Sequence, residues 1–271
     1  MWRPVLFMKT VFSFILLSLV VCAAPVAAKR AAMPVVTAAV ETQEKGGDYV
    51  VLMHGIGRSP AAMRKMENDL RRRGYEVLNL GYDSRKYDLD TLAARMRPDV
   101  EAFAADKTRK LHFVGHSMGA LVVRTYVQKY KPENIGRVVA LGSPNGGSEV
   151  ADFLNKIGIF EKVYGPAGQQ LLTSYNVYKT FGKPFYEVGV IAGDRTIDPI
   201  SSFLIPGDDD GKVSIASTHI AGEKDHIVLH ANHATMPSNA AVVIETAHFI
   251  KYGFFKRDGV KKETREAHAE P

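Results

Sequence analysis

Gly115-His116-Ser117-Met118-Gly119 constrains this chain more than any other five residues in it. It closes an apolar run over 111–114 and precedes residues 120–131, where Leu121, Val122, Tyr126 and Val127 recur at helical spacing. A serine between two glycines at such a junction predicts a sharp strand-to-helix turn, with the serine held in a strained backbone conformation. Neighbouring chain must pack closely against that turn, so a side chain at either flanking position would collide, which is why both are glycine. Ser117 is therefore a candidate nucleophile presented at the top of a strand.

The same alternation of strand and helix recurs along the chain. Tyr49–Met53 is a short apolar strand leading into His54-Gly55-Ile56-Gly57. Residues 63–73 carry Met63, Met66 and Leu70 at helical spacing and stop at Gly74. Residues 76–82 predict a strand, and 89–105 a helix that Pro98 would kink or split. Strands are further predicted over 137–141, 186–191 and 227–229, and a terminal helix over 240–252 with Val243, Ala247 and Ile250 inward. The pattern is that of an α/β fold, a mainly parallel β-sheet with helices on both faces and right-handed crossovers. Ligands bind such sheets beyond the carboxyl ends of the strands, and both glycine-rich turns, 54–57 and 115–119, fall on that edge. Residues 149–186 break the alternation with short apolar stretches interrupted by Gly158, Gly165-Pro166 and Gly168. They predict either a small cap-like insertion over the ligand edge or a long crossover.

At 271 residues and 46% hydrophobic content the chain can bury one sizeable core. Lys9, the apolar run over 11–21 and the small residues ending Val26-Ala27-Ala28 read as a secretory signal peptide over 1–28. The expectation is export to the periplasm or beyond, an uncleaved N-terminal anchor being the alternative. Residues 29–47 then read as a linker, 48–255 as the folded domain and 256–271 as a charged tail. Cys22 lies in the leader, so the domain has no thiol chemistry and no disulfide. The formal charge of +6 falls to +4 without Arg3 and Lys9, and its cations are scattered. No nucleic-acid stripe is read from them, although peripheral contact with anionic membrane surfaces fits a mild surplus of this kind.

A serine nucleophile needs a base, and the base an orienting acid. Downstream of Ser117, acids in strand-end loops are Asp194 and the cluster Asp208-Asp209-Asp210. Asp210 precedes Gly211 in a tight turn and can reach inward, whereas Asp208 and Asp209 are expected to face solvent. His233 lies in the loop just before the terminal helix and is the preferred base over His219, His226, His230 and His248. His226 is expected to pair with the adjacent Asp225, His248 to be structural, and His116 to pack inside the elbow. An oxyanion needs two preorganised N–H donors, here those of Met118, at a helix N-terminus, and Ile56, between two glycines. His54 would hold that second loop by hydrogen bonding. Gly55-x-Gly57 lacks the third glycine of a dinucleotide loop, and no G-K-[ST] occurs, so no nucleotide is expected. Nor is a metal expected, because His226, His230 and His233 have ligand spacing only on a helix, which Ile227-Val228-Leu229 opposes.

With these elements in this order the chain resembles the α/β-hydrolase superfamily, and within it the bacterial lipase and esterase-like branch. It is similar to triacylglycerol lipases and to the catalytic domain of GPI-inositol deacylases. The words that carry the resemblance are residues 51–59, 113–119, 142–148 and 210–213, with His233. It implies hydrolysis of carboxylic esters through an acyl-enzyme without a cofactor, and the apolar residues of the 149–186 stretch point to lipid-like esters among them. An acyltransferase or amidase could use the same triad, and a non-catalytic binding protein the same fold. Secreted lipases of that branch often place a calcium-binding aspartate two residues after the catalytic histidine. Thr235 stands there in this chain, so calcium is not implied.

Overall fold

The computed structural model describes residues 46–156, 160–175, 181–197 and 204–257. The expected signal peptide, all but the last two residues of the expected linker, and the tail beyond 257 lie outside them.

Six parallel strands form one sheet: β1 (Tyr49–Met53), β2 (Glu76–Leu80), β3 (Leu111–His116), β4 (Ile135–Leu141), β5 (Glu187–Gly193) and β6 (Asp225–Leu229). Their order is β2-β1-β3-β4-β5-β6, so β3, which delivers Ser117, is central. The expected α/β class and parallel sheet are what the chain adopts. All five residues of β1 are buried, the environment that their unbroken apolar run demands.

Successive strand residues point to opposite faces, and each face has its own core. Val51, Met53 and Phe113 pack on one side with α2 (Leu89–Phe103) and α3 (Met118–Tyr130). Val50, Leu52 and Val114 pack on the other, with α1 (Arg64–Arg72) and the terminal helix Ala240–Tyr252. Met53, Phe113, Leu52 and Val114 are fully buried, and each such side chain contributes about 1.5–3 kcal/mol of hydrophobic stabilisation.

Pro98 does not break α2, which runs unbroken from the Asp88 cap, where the carboxylate accepts Thr91 N–H at 2.7 Å. Pro98 and Ala94, whose carbonyl loses its partner, are both exposed, so water can take the lost bond. Met63 belongs to a 3₁₀ turn, Pro60–Met63, that leads into α1. After β4 the chain forms α4 (Glu149–Lys156) and α5 (Phe160–Gln169, interrupted at Gly165), then returns to the sheet at β5. The short α6 (Ile215–Thr218) precedes β6, and α7 (Ala240–Tyr252) closes the fold, capped by the Asn239 side chain.

Candidate active site

Ser117 links β3 to α3 at φ 54° and ψ −129°, a strained left-handed conformation for a residue with a side chain. Its N–H is tied to Leu141 O at 2.8 Å, which anchors the turn to β4. Both flanking glycines are enforced by contact. A Cβ on Gly115 would stand 2.3 Å from Ala120 Cα, and one on Gly119 would stand 2.5 Å from the carbonyl oxygens of Met53 and His54. The elbow is therefore wedged between its own helix and the end of β1.

His233 Nε2 lies 3.0 Å from Ser117 Oγ, and His233 Nδ1 lies 2.7 Å from Asp210 Oδ2. Asp210 is 1% exposed, and its other oxygen accepts the N–H groups of Lys212 (3.0 Å) and Val213 (2.9 Å). An acceptor-only carboxylate facing Nδ1 makes that nitrogen the donor, which leaves the Nε2 lone pair for the serine hydroxyl. A second link, His233 N–H to Asp210 O at 2.8 Å, fixes base and acid backbone to backbone.

The rival acids lie elsewhere. Asp194 pairs with His230 at 3.0 Å, and both are exposed. Asp208 is exposed as expected, but Asp209 is not: it is 5% exposed and its Oδ1 accepts Gly211 N–H at 2.6 Å, which tightens the turn that presents Asp210. The other histidines are engaged as well. The His226 ring does not pair with Asp225, whose carboxylate instead accepts the His226 backbone N–H at 2.9 Å and holds the Arg257 guanidinium; the ring Nε2 meets Thr218 Oγ1 at 2.9 Å. His248 Nδ1 bonds Phe254 O at 2.8 Å. His116 Nε2 donates to His233 O at 3.0 Å with its ring 4.8 Å from the His233 ring, and burial holds its pKa well below the usual imidazole value. It packs behind the base, as its place in the elbow suggested. His226, His230 and His233 do not converge as metal ligands.

The 54–57 loop is pinned from three sides. His54 Nδ1 donates to Gly55 O at 2.9 Å, the Tyr82 ring stacks on the His54 ring at 4.3 Å, and Tyr82 O–H donates to His54 O at 2.5 Å. Burial lowers the His54 pKa, so the ring serves the loop as a neutral group. Ser84 Oγ accepts Gly57 N–H at 2.9 Å. Ile56, between these anchors, lines the same cavity as Ser117, and Met118 opens α3, whose first N–H groups have no partner within the helix. Tyr82 and Ser84 carry no motif, and only their proximity in the fold reveals their part.

A cavity of about 220 Å³ opens beside Ser117 and His233. Pro144, Val150, Ala151, Leu171 and Val213 supply apolar wall, and Arg58 and Lys212 are its charged lining residues. Val150, Ala151 and Leu171 come from the 149–186 segment, so described residues of that segment form one wall of the cavity.

The family model for palmitoyl protein thioesterases matches residues 49–186, just over half of the chain. The chain belongs to the palmitoyl protein thioesterase family. This sets it within the α/β-hydrolase superfamily, beside lipases and esterases, as its sequence resemblance implied. Palmitoyl-protein thioesterase 3 of Dictyostelium discoideum is 26% identical over 122 residues, 43% of this chain and 42% of that protein. A triacylglycerol lipase of Pseudarthrobacter phenanthrenivorans is 37% identical over 57 residues, 21% of this chain and 18% of that one. The chain thus spans less than half the length of these curated relatives. Among solved structures, mature Bacillus licheniformis lipase BlEst2 superposes with a TM-score of 0.64 at 18% identity, over 78% of this chain and 94% of that one. A metagenomic carboxyl esterase superposes at 0.57 with 18% identity, over 70% and 65% of the two chains. These two likenesses establish the fold. The family match contains the 54–57 loop and the elbow, while Asp210 and His233 come from loops beyond it.

Proposed function

We propose that this member of the palmitoyl protein thioesterase family is a serine hydrolase of carboxylic esters and thioesters with lipid-like acyl groups. The observation that carries the reading is the hydrogen-bonded chain from Ser117 Oγ through His233 to the buried Asp210. In this reading Ser117 Oγ attacks the acyl carbonyl while His233 Nε2 takes its proton, and Asp210 steadies the imidazolium that forms. The N–H groups of Met118 and Ile56 receive the oxyanion. Collapse of the tetrahedral intermediate leaves an acyl-Ser117 ester, and His233 gives its proton to the departing alcohol or thiol. Water, activated by the same imidazole, then releases the acid and restores the serine.

Apolar wall residues favour a hydrocarbon acyl group, and the family match brings thioesters within the expected substrate range. Export through residues 1–28 and peripheral contact with membranes are part of the same proposal, since lipid-like esters reside there. No cofactor enters the cycle.

A fluorophosphonate probe tests the nucleophile: the wild type should label and Ser117→Ala should not. Equal labelling of both would remove Ser117 from the role. Matched oxygen esters and thioesters of graded acyl length, offered to the same preparation, would identify the preferred substrate. Transfer of the acyl group to an added alcohol in preference to water would make the protein an acyltransferase instead.

A further inference from the structure

The histidine cluster that the triad leaves unused lies beside β6, the edge strand, three strands away from the β3 that delivers Ser117. α6 ends at Thr218, and a turn over 220–223 follows, closed by Glu223 N–H to Ile220 O at 2.8 Å and by Gly222 at φ 90°. That turn folds Glu223 back, so that its Oε1 lies 2.6 Å from His219 Nδ1 while its Oε2 accepts Ile220 N–H at 2.8 Å. β6 then begins and carries His226 beneath His219, with the ring centroids 4.0 Å apart and the planes 18° from parallel. One donor atom from each of His219, Glu223 and His226 lies within 4.8 Å of the other two.

The hydrogen bonds around His226 prepare it further. Thr218 Oγ1 directs its single hydrogen at Ile215 O (2.6 Å), so its oxygen can only accept from His226 Nε2 at 2.9 Å. This fixes the tautomer and leaves the lone pair on the other ring nitrogen, the way in which coordinating histidines are held by an outer oxygen.

We propose that His219, Glu223 and His226 form a divalent-metal site, best matched to zinc, that clips the connection between α6 and β6. Two imidazoles and one carboxylate are a familiar zinc ligand set, with the fourth tetrahedral position left to water. Tetrahedral bonds of about 2.0–2.2 Å hold neighbouring donor atoms roughly 3.3–3.6 Å apart, so His219 and Glu223 would part from their 2.6 Å contact to admit the ion between them and the His226 donor. His219 is exposed and Glu223 sits in a turn, so rotation of these two side chains supplies the adjustment. The ion would replace the direct bond between His219 and Glu223.

A simple ion pair four residues apart, with a second imidazole stacked on it, is the arrangement to be distinguished. Tag-free protein stripped with EDTA should bind one Zn²⁺ per chain, with a dissociation constant of about 10 µM or tighter by calorimetry. Its Tm should rise by several degrees on zinc addition. His219→Ala and Glu223→Gln should lose the binding and the Tm shift, while Ser117→Ala and His230→Ala keep them. Co²⁺ should give visible d–d bands in the wild type and none in Glu223→Gln. Absence of saturable binding below about 100 µM, or equal binding by the two ligand variants, overturns the site.

Discussion

Gly142 leaves the space that Asp210 fills: a Cβ there would stand 2.8 Å from Asp210 Oδ2 and 3.2 Å from His233 Nδ1. Gly142 follows β4 directly at φ 51°, so the backbone also favours glycine. Gly193, at the end of β5, makes similar room, since its Cβ would lie 2.9 Å from Asp210 Cβ and 2.2 Å from Ala231 O. Two strand ends are thus cut back to seat one hydrogen bond between acid and base.

Gly142→Ala should therefore damage turnover through position alone. A displacement of the imidazole by a fraction of an ångström is expected to lower kcat by roughly 10–100-fold, with KM little changed. Steady-state kinetics beside a circular dichroism spectrum would check this. Normal kcat in a folded variant would show that the Asp210–His233 contact tolerates the crowding.

Asp210→Asn tests the acid itself. The amide presents a donor where His233 Nδ1–H needs an acceptor, which favours the wrong tautomer for taking the serine proton. A loss of about 10⁴-fold in kcat is expected, with the fold retained. Asp194→Asn should cost almost nothing, because it disturbs only the exposed pair with His230. The reverse ranking would hand the role to Asp194.

These contrasts show what the chain discloses in one dimension. The elbow, the 54–57 loop, the Asp210 turn and the His233 loop are legible because each couples a reactive residue to local punctuation, glycine or a strand end. Their order along the chain then restricts the partners to a handful. Gly142 and Gly193 are not legible as makers of space, since their neighbours are remote in sequence and meet them only after the sheet is assembled. The same holds for Tyr82 and Ser84, which hold the 54–57 loop from beyond β2. Asp209 defied the expectation of exposure because its carboxylate serves its own turn, a short-range bond that charge alone does not reveal. Pro98 carries the chemistry of a helix breaker, and only the folded chain shows that its side of α2 faces water.

Ser117 should carry a measurable cost in stability. Its φ of 54° and ψ of −129° place a side chain where few residues reside, and such strain amounts to about 1–3 kcal/mol. Glycine relieves the strain but loses more entropy on folding, which returns roughly 0.5–1 kcal/mol. Ser117→Gly should consequently be more stable than Ser117→Ala by about 1 kcal/mol in urea unfolding, and both should be inactive. Equal stability of the two variants would mean that the elbow stores no strain.

His54 and His116 set an acid limit on stability. Burial lowers both from the ordinary 6.5, and His116 is lowered further by the nearby His233. A depressed imidazole pKa means that the unfolded chain binds more protons than the folded one once pH drops below about 6.5. The favourable difference is therefore complete above that pH and is lost as pH falls towards the folded values. Urea midpoints measured at about pH 7, 6 and 5 should decline in the wild type. His116→Gln, whose amide can still donate to His233 O, should start less stable at neutral pH yet decline with a shallower slope. An unchanged slope in that variant would place the acid sensitivity in other groups.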